Sequence, residues 1–280
     1  MTGALDSDEW SVGRPVTVEQ EAVAQFAEAV GEQSGDDWLA SSRSTELLVP
    51  ATFPVTLVWS VQNLALQSVY QGPGLGLHGE HAFAYHRPVR VGMTLQPRAR
   101  VVAVVPKMAG TVVVCRSELL DDAGPVCTQL FTLFQVNESL HPMGEPARLD
   151  GDPGNPGDVA DRPSLGELTE SVAGDQSYRY AAASGDGYRI HTDEVFATGQ
   201  GLDGIILHGM CTLAFAARAV VALAAGGDPA RLAFLGARFS TPVRPGHTLT
   251  TTVSGSSAGG FTTTADDVPV LTRGRWAVQG

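Results

Sequence analysis

Lysine is nearly missing from this sequence. Lys107 is the only one, and 18 basic residues in all face 30 acidic ones, a formal net charge of −12 over 280 residues. Nucleic acid and anionic membrane are therefore not expected as bulk partners, because neither attracts an acidic surface; a local basic pocket stays open. Cysteine is scarce as well. Cys115, Cys127 and Cys211 are odd in number and lack Cys-x-x-Cys spacing, so they suggest reduced thiols and neither a disulfide framework nor a metal site. The most apolar run, Ile205 to Ala225, is interrupted by His208 and Arg218 and reads as a buried helix, not a membrane span. Met1 to Glu9 is acidic and lacks the basic-then-apolar order of an export signal, so a soluble, cytoplasmic protein is expected. No phosphate-binding loop, nucleophile elbow or dinucleotide fingerprint occurs in a strand–turn–helix context.

What is present describes a folded protein: 43% hydrophobic and 17% charged residues, in a chain long enough for one large domain or two ordinary ones. Thr17 to Val30 has a candidate N-cap at Thr17, acids in the first turn and Val23, Phe26, Ala27 and Val30 at helical spacing. After a polar loop containing Gly35-Asp36-Asp37, a second helix is expected over about Val55 to Tyr70, apolar on most faces through Leu57, Trp59, Val61, Leu64, Leu66 and Val69 and therefore buried. From Leu77 the period falls to two. His81–Tyr85, Thr94–Val105, Gly110–Leu120 and Val126–Val136 read as an antiparallel meander. Asn137 to Pro163, rich in Pro, Gly and Asp, reads as a linker crossing a surface.

The programme then repeats. Phe26–Glu32 aligns with Tyr180–Asp186, and Pro88–Leu95 with Pro242–Leu249, both at an offset of 154 (180 − 26 and 242 − 88) and without a gap between them. Two matches sharing one offset imply an internal duplication. The expected organisation is a half over 1–136, a linker over 137–163 and a second half over 164–280. The offset also pairs the apolar helix from Val55 with one from Gly209, and the two sheets are expected to join edge to edge, which removes exposed strand edges. The halves are not equivalent in chemistry. Asp186 faces Glu32 across the offset, but His191 faces Asp37, so the first half lacks the imidazole.

That asymmetry singles out Tyr180 to His191 and the helix opened by His208-Gly209-Met210. An acid and an imidazole five residues apart in a Gly-containing turn, just ahead of a helix N-terminus, are the parts of an acid/base site facing an oxyanion. Ser184-Gly185-Asp186-Gly187-Tyr188-Arg189-Ile190-His191, with Asp193, Phe196-Ala197, Gly199 and His208-Gly209-Met210, resembles the signature of the MaoC-like (R)-specific enoyl-CoA hydratases and 3-hydroxyacyl-thioester dehydratases. In that family the run is Gly-Asp-x-Asn-Pro-Leu-His; here Tyr188 holds the Asn position and Arg189 the Pro position.

The resemblance implies an α+β double hot-dog, each half an antiparallel sheet wrapped round a long apolar helix. It also implies hydro-lyase chemistry on a trans-2-enoyl thioester, in fatty acid or polyketide metabolism. Asp186 and His191 would be the catalytic pair, and the Gly209 N–H would be the oxyanion donor. Tyr188, His208 and Met210 would touch substrate, an acyl-CoA or acyl-carrier-protein thioester lying between the first-half helix and the second-half site. No cofactor and no metal are implied, because the thioester itself makes the alpha proton acidic. Blander roles stay open: Asp186 capping a turn, His191 a loop histidine, Gly209 permitting close helix packing. A hot-dog thioesterase and a catalytically silent acyl-thioester binding or partner subunit are the alternative functions, and pairing into a homodimer is left open. His78, His81 and His86 read as surface or sheet histidines. Arg218, Arg238 and Arg244 are contacts for coenzyme A phosphates or structural ion pairs, and Arg189 is expected to pair with Asp193 in a loop.

Overall fold

The computed structural model describes residues 9–32, 47–70, 72, 75–146 and 148–279. The acidic start up to Asp8 and the polar loop with Asp36 and Asp37 lie outside the described residues.

Two short strands, β1 (Ser11–Val12) and β2 (Val16–Thr17), pair antiparallel with β4 (Thr94–Lys107). Thr17 is therefore not the helix cap expected from the sequence. Its backbone belongs to the β4 ladder opposite Thr94, and Val18 N–H donates to Met93 O, so helix α1 begins only at Gln20 and runs to Ala29. Val23, Phe26 and Ala27 bury its inner stripe. Helix α2 (Pro54–Gln67) carries Pro54 in its first turn, where a missing N–H is tolerated. It is less thoroughly buried than its composition suggests: Val55, Leu57, Val58, Val61 and Ala65 face inward, but Leu64 is 54% exposed.

Strands β3 (Gly76–Tyr85), β4, β5 (Gly110–Asp121) and β6 (Gly124–Val136) follow. The meander is β4-β5-β6, with β3 paired to β6 on its far side. Along 137–163 the chain crosses the outer face: β7 (Met143–Gly144) pairs with β4, and buried Leu149 packs with Ala82, Ala84 and Phe234. The second copy comprises β8 (Ser164–Ser171), α3 (Gln176–Ser184), the short α4 (Glu194–Gly199) and the long α5 (Gly209–Ala224). Its remaining strands are β9 (Leu232–Phe239), β10 (Thr248–Gly255), β11 (Ala258–Ala265) and β12 (Val268–Val278).

Among the described residues, twelve strands form one antiparallel sheet, with main order β1-β4-β5-β6-β3-β9-β12-β11-β10-β8. The copies meet where β3 pairs with β9. Ala82 lies opposite Gly236, flanked by Glu80 opposite Arg238 and Ala84 opposite Phe234. Since 82 + 154 is 236, residue and image face each other across a local two-fold axis. The strands are close there: a Cβ on Gly236 would lie 3.1 Å from that of Ala82. The concave side wraps α2 and α5 in one apolar core, the α+β double hot-dog arrangement.

Candidate active site

Helix α3 ends at Gly185, whose φ of +76° is the left-handed cap that glycine adopts without strain. The reversal delivers Asp186 into a tight turn. Its N–H donates to Ser184 Oγ at 3.2 Å, and its Oδ1 accepts from Tyr188 N–H at 3.2 Å. One turn of 3-10 helix, Arg189–His191, then points the His191 ring inward. His191 is 8% exposed, and its Nδ1 lies 2.8 Å from Ile206 O. A carbonyl can only accept, so Nδ1 carries the proton and Nε2 the lone pair.

Beneath it lies His208, 1% exposed, its ring stacked on that of His191 with 3.8 Å between centroids. Its Nε2 donates to the Asp186 main-chain carbonyl at 3.0 Å, leaving Nδ1 buried without a partner. His208 is the N-cap residue of α5, so the N–H groups of Gly209 and Met210 belong to a first turn that has no intrahelical acceptors. A Cβ on Gly209 would press on the Phe239 ring at 3.1 Å, so the absence of a side chain is a packing requirement too.

Asp186, Tyr188, His191, His208, Gly209 and Met210 all line one cavity of about 550 Å³. Its opposite wall is supplied by the other copy: Val55, Thr56, Trp59 and Leu66 of α2, and His78 and Phe131 of the sheet. Burial sets the protonation states. It raises the Asp186 carboxyl above its usual range, an effect that His191 opposes, and lowers His191, which Asp186 opposes. Burial thus pushes each group towards its neutral form, and each partner's charge opposes that shift in the other. Burial also pulls His208 down to about 3, with His191 adding to the effect. Burial raises the Tyr188 phenol, whose ring meets the edge of His191 at 6.3 Å.

Asp186, His191 and His208 place potential ligand atoms within 4.8 Å of one another. They do not suit a metal ion as they stand. Imidazole donates in its ring plane, and two rings stacked at 26° aim their lone pairs side by side instead of at one point.

Arg189 pairs with Asp193 at 2.5 Å and covers the Phe196 ring, so it braces the loop as expected. Arg218 pairs with Glu170 at 2.6 Å and Arg244 with Asp203 at 3.0 Å; neither lines the cavity, nor does exposed Arg238. His78 and His81 are strand residues and His86 follows the end of β3, but His81 is fully buried and His78 lines the cavity, so these two are not surface groups. Nothing in an isolated strand histidine signals that position. Phe239, also on the wall, was equally hidden, whereas Tyr180 opens the stretch that the sequence singles out.

A second, smaller cavity of about 170 Å³ is the image of the first. Asn63, Ser184, Asp186 and Ile206 of the large one map by 154 onto Ala217, Val30, Glu32 and Thr52 of the small one. The guanidinium of Arg218 lies there, donating to Val30 O at 3.3 Å. Burial raises both Glu32 and Glu170, against the attraction of Arg218. Asp37, the counterpart of His191, lies outside the described residues.

Residues 157–270 match the family model described as MaoC like domain, and residues 9–129 match the FAS1-like, dehydratase domain region. The chain is 33% identical over 179 residues to peroxisomal multifunctional enzyme type 2 of Drosophila melanogaster, covering 62% of this chain and 29% of that protein. It is 31% identical over 185 residues to 3-hydroxyacyl-thioester dehydratase Y of Mycobacterium tuberculosis (65% and 62%) and 28% identical over 202 residues to peroxisomal enoyl-CoA hydratase 2 of Arabidopsis thaliana (70% and 65%). The chain thus spans less than two thirds of the length of each. Among solved structures, a MaoC-like dehydratase from Phytophthora capsici superposes with a TM-score of 0.78 at 24% identity, covering 96% of both chains, which speaks to the fold.

Proposed function

We propose that this chain, which belongs to the MaoC-like dehydratase family, is a hydro-lyase that interconverts trans-2-enoyl and (R)-3-hydroxyacyl thioesters. The observation that carries this reading is the convergence of Asp186, the free Nε2 of His191 and the N-terminus of α5 in one cavity.

Water held between His191 Nε2 and the Asp186 carboxyl gives a proton to Nε2 as its oxygen bonds to C3. The electron pair of the double bond moves onto the thioester oxygen, where the Gly209 N–H and the helix dipole stabilise the enolate. Collapse of the enolate takes a proton at C2 from Asp186, and His191 returns its proton to Asp186. H and OH are thereby added from the same side, and the site ends as it began, as a neutral pair. The acyl chain extends along α2 in the space offered by the first copy. Tyr188 and Met210 contact the substrate, and His208, on the same wall, acts on it through the Asp186 and His191 that it holds in place.

The division into a non-catalytic half over 1–136, a linker over 137–163 and a catalytic half over 164–280 belongs to this proposal, as do a CoA or carrier-protein thioester as substrate, homodimeric pairing and cytoplasmic residence. The names of the relatives, enoyl-CoA hydratase 2 and 3-hydroxyacyl-thioester dehydratase Y, support the reaction class. Among the described residues, no helix is long and apolar enough to cross a membrane. The test is loss of enoyl absorbance with crotonyl-CoA and longer analogues, alongside a thiol assay. Consumption without thiol release supports the hydratase, thiol release means a thioesterase, and binding without either means a silent module.

A further inference from the structure

One wall of the cavity is nearly all aromatic. It runs from Gly209 to Phe239, then to His78 at 4.6 Å between centroids, to Phe131 at a further 4.4 Å, and on to Trp59 at 6.5 Å. The imidazole of His78 interrupts this wall. A purely apolar tail would be served by a third phenyl ring, and burying a polar group without need is costly.

His78 is held by a directed relay. Gln129 Nε2 donates to Pro54 O at 3.0 Å, which fixes the amide, so Gln129 Oε1 must accept from His81 Nε2–H at 3.1 Å. His81 Nδ1 then carries a lone pair and accepts from His78 Nε2–H at 3.2 Å. Every donor points away from His78 towards Pro54. The remaining nitrogen, His78 Nδ1, is left as an acceptor on a ring that lines the cavity. Burial holds both rings neutral, pulling His81 down to about 4 and His78 well below its ordinary value.

We propose that His78 is a specificity determinant contributed by the first copy. It accepts a hydrogen bond from a hydroxyl or N–H on the acyl part of the substrate, so that enoyl thioesters with a donor on the chain are preferred to plain alkyl ones. This rests on the thioester reading of the cavity. Neither Asp186 nor His191 takes part in the recognition, and the image position of His78 in the second copy is Leu232, which cannot serve it.

The experiment measures binding, so that it does not depend on turnover. Hexanoyl-CoA and octanoyl-CoA are titrated calorimetrically beside their ω-hydroxy derivatives, with the native protein, His78→Phe and His78→Asn. A preference of about tenfold or more for at least one hydroxylated ligand is expected in the native protein, corresponding to about one satisfied hydrogen bond. It should vanish in His78→Phe and partly return in His78→Asn. In 15N-histidine NMR the His78 Nδ1 resonance should move with the hydroxylated ligand and stay in place with the alkyl one, a readout that needs no variant. Equal affinity for both ligand types, or a preference unchanged in His78→Phe, overturns the role of His78. Failure of every acyl-CoA to bind overturns the thioester reading on which it stands.

Discussion

The rings of His191 and His208 are stacked, 3.8 Å between centroids, and the lower ring donates to the main-chain carbonyl of Asp186. One buried side chain thus fixes both members of the proposed acid/base pair, the imidazole by its face and the carboxyl by its backbone. His208→Phe keeps the flat surface and loses the bond. We expect kcat to fall by about tenfold with KM within about twofold, the pattern of misplaced groups and not of lost binding; a raised KM with kcat unchanged would point to a lost substrate contact instead.

The pair itself is more sensitive. Asp186→Asn and His191→Ala should each lower kcat/KM for enoyl-CoA hydration by two orders of magnitude or more, and the double variant should be little worse than either, because the residues act as a unit. Circular dichroism would establish that both variants are folded.

Gly209→Ala places a methyl 3.1 Å from the Phe239 ring, at the helix start where the proposed mechanism puts the thioester oxygen. Turnover is expected to fall by at least tenfold, and stability by about 1 to 3 kcal/mol if the ring cannot yield. Urea melts read the second effect separately from the first.

Acid should unfold this protein early. His81 and His208 ionise near 6.5 when unfolded, but only near 4 and 3 in the native state. Within that window the unfolded chain binds protons that the native one refuses. Their stabilising contribution is complete above about pH 6.5 and is lost as pH falls, at about 1.4 kcal/mol per pH unit for each histidine. His78 and His191 act in the same sense, and the raised carboxyl of Asp186 opposes them at lower pH. Urea midpoints recorded from pH 7 down to pH 5 should drop steadily; a flat profile would mean these histidines are hydrated in solution.

In the image cavity, Arg218 neutralises Glu170 at 2.6 Å and lies close to Glu32. Arg218→Met leaves two carboxyls without their cation and should cost about 2 kcal/mol at pH 7. Lowering the pH towards 5 should recover part of that cost, since both carboxyls are raised by burial and protonate readily.

Much of this was legible because duplication writes itself twice. The 154-residue offset announced the paired helices, the edge-to-edge junction and the half that keeps the imidazole. Asp186 and His191 were visible because their spacing is local, within one turn. Thr17 was misread because what decides its fate is a strand 77 residues away, and Leu64 because composition does not say which way a helix faces. His78 was hidden for a related reason. Its relay joins Pro54, His81 and Gln129, and the wall it completes comes from the other copy.

The junction at Ala82 and Gly236 also sets a schedule for synthesis. When β6 has left the ribosome, β3 is an open edge rich in His, Phe and Ala, and its permanent neighbour lies roughly a hundred residues further on. At the usual 5 to 20 residues per second, that edge waits for several seconds or longer. A nascent chain with a naked hydrophobic strand is a template for intermolecular pairing. The non-local closure of β3 on β9 is thus the step at which intermolecular pairing competes with folding.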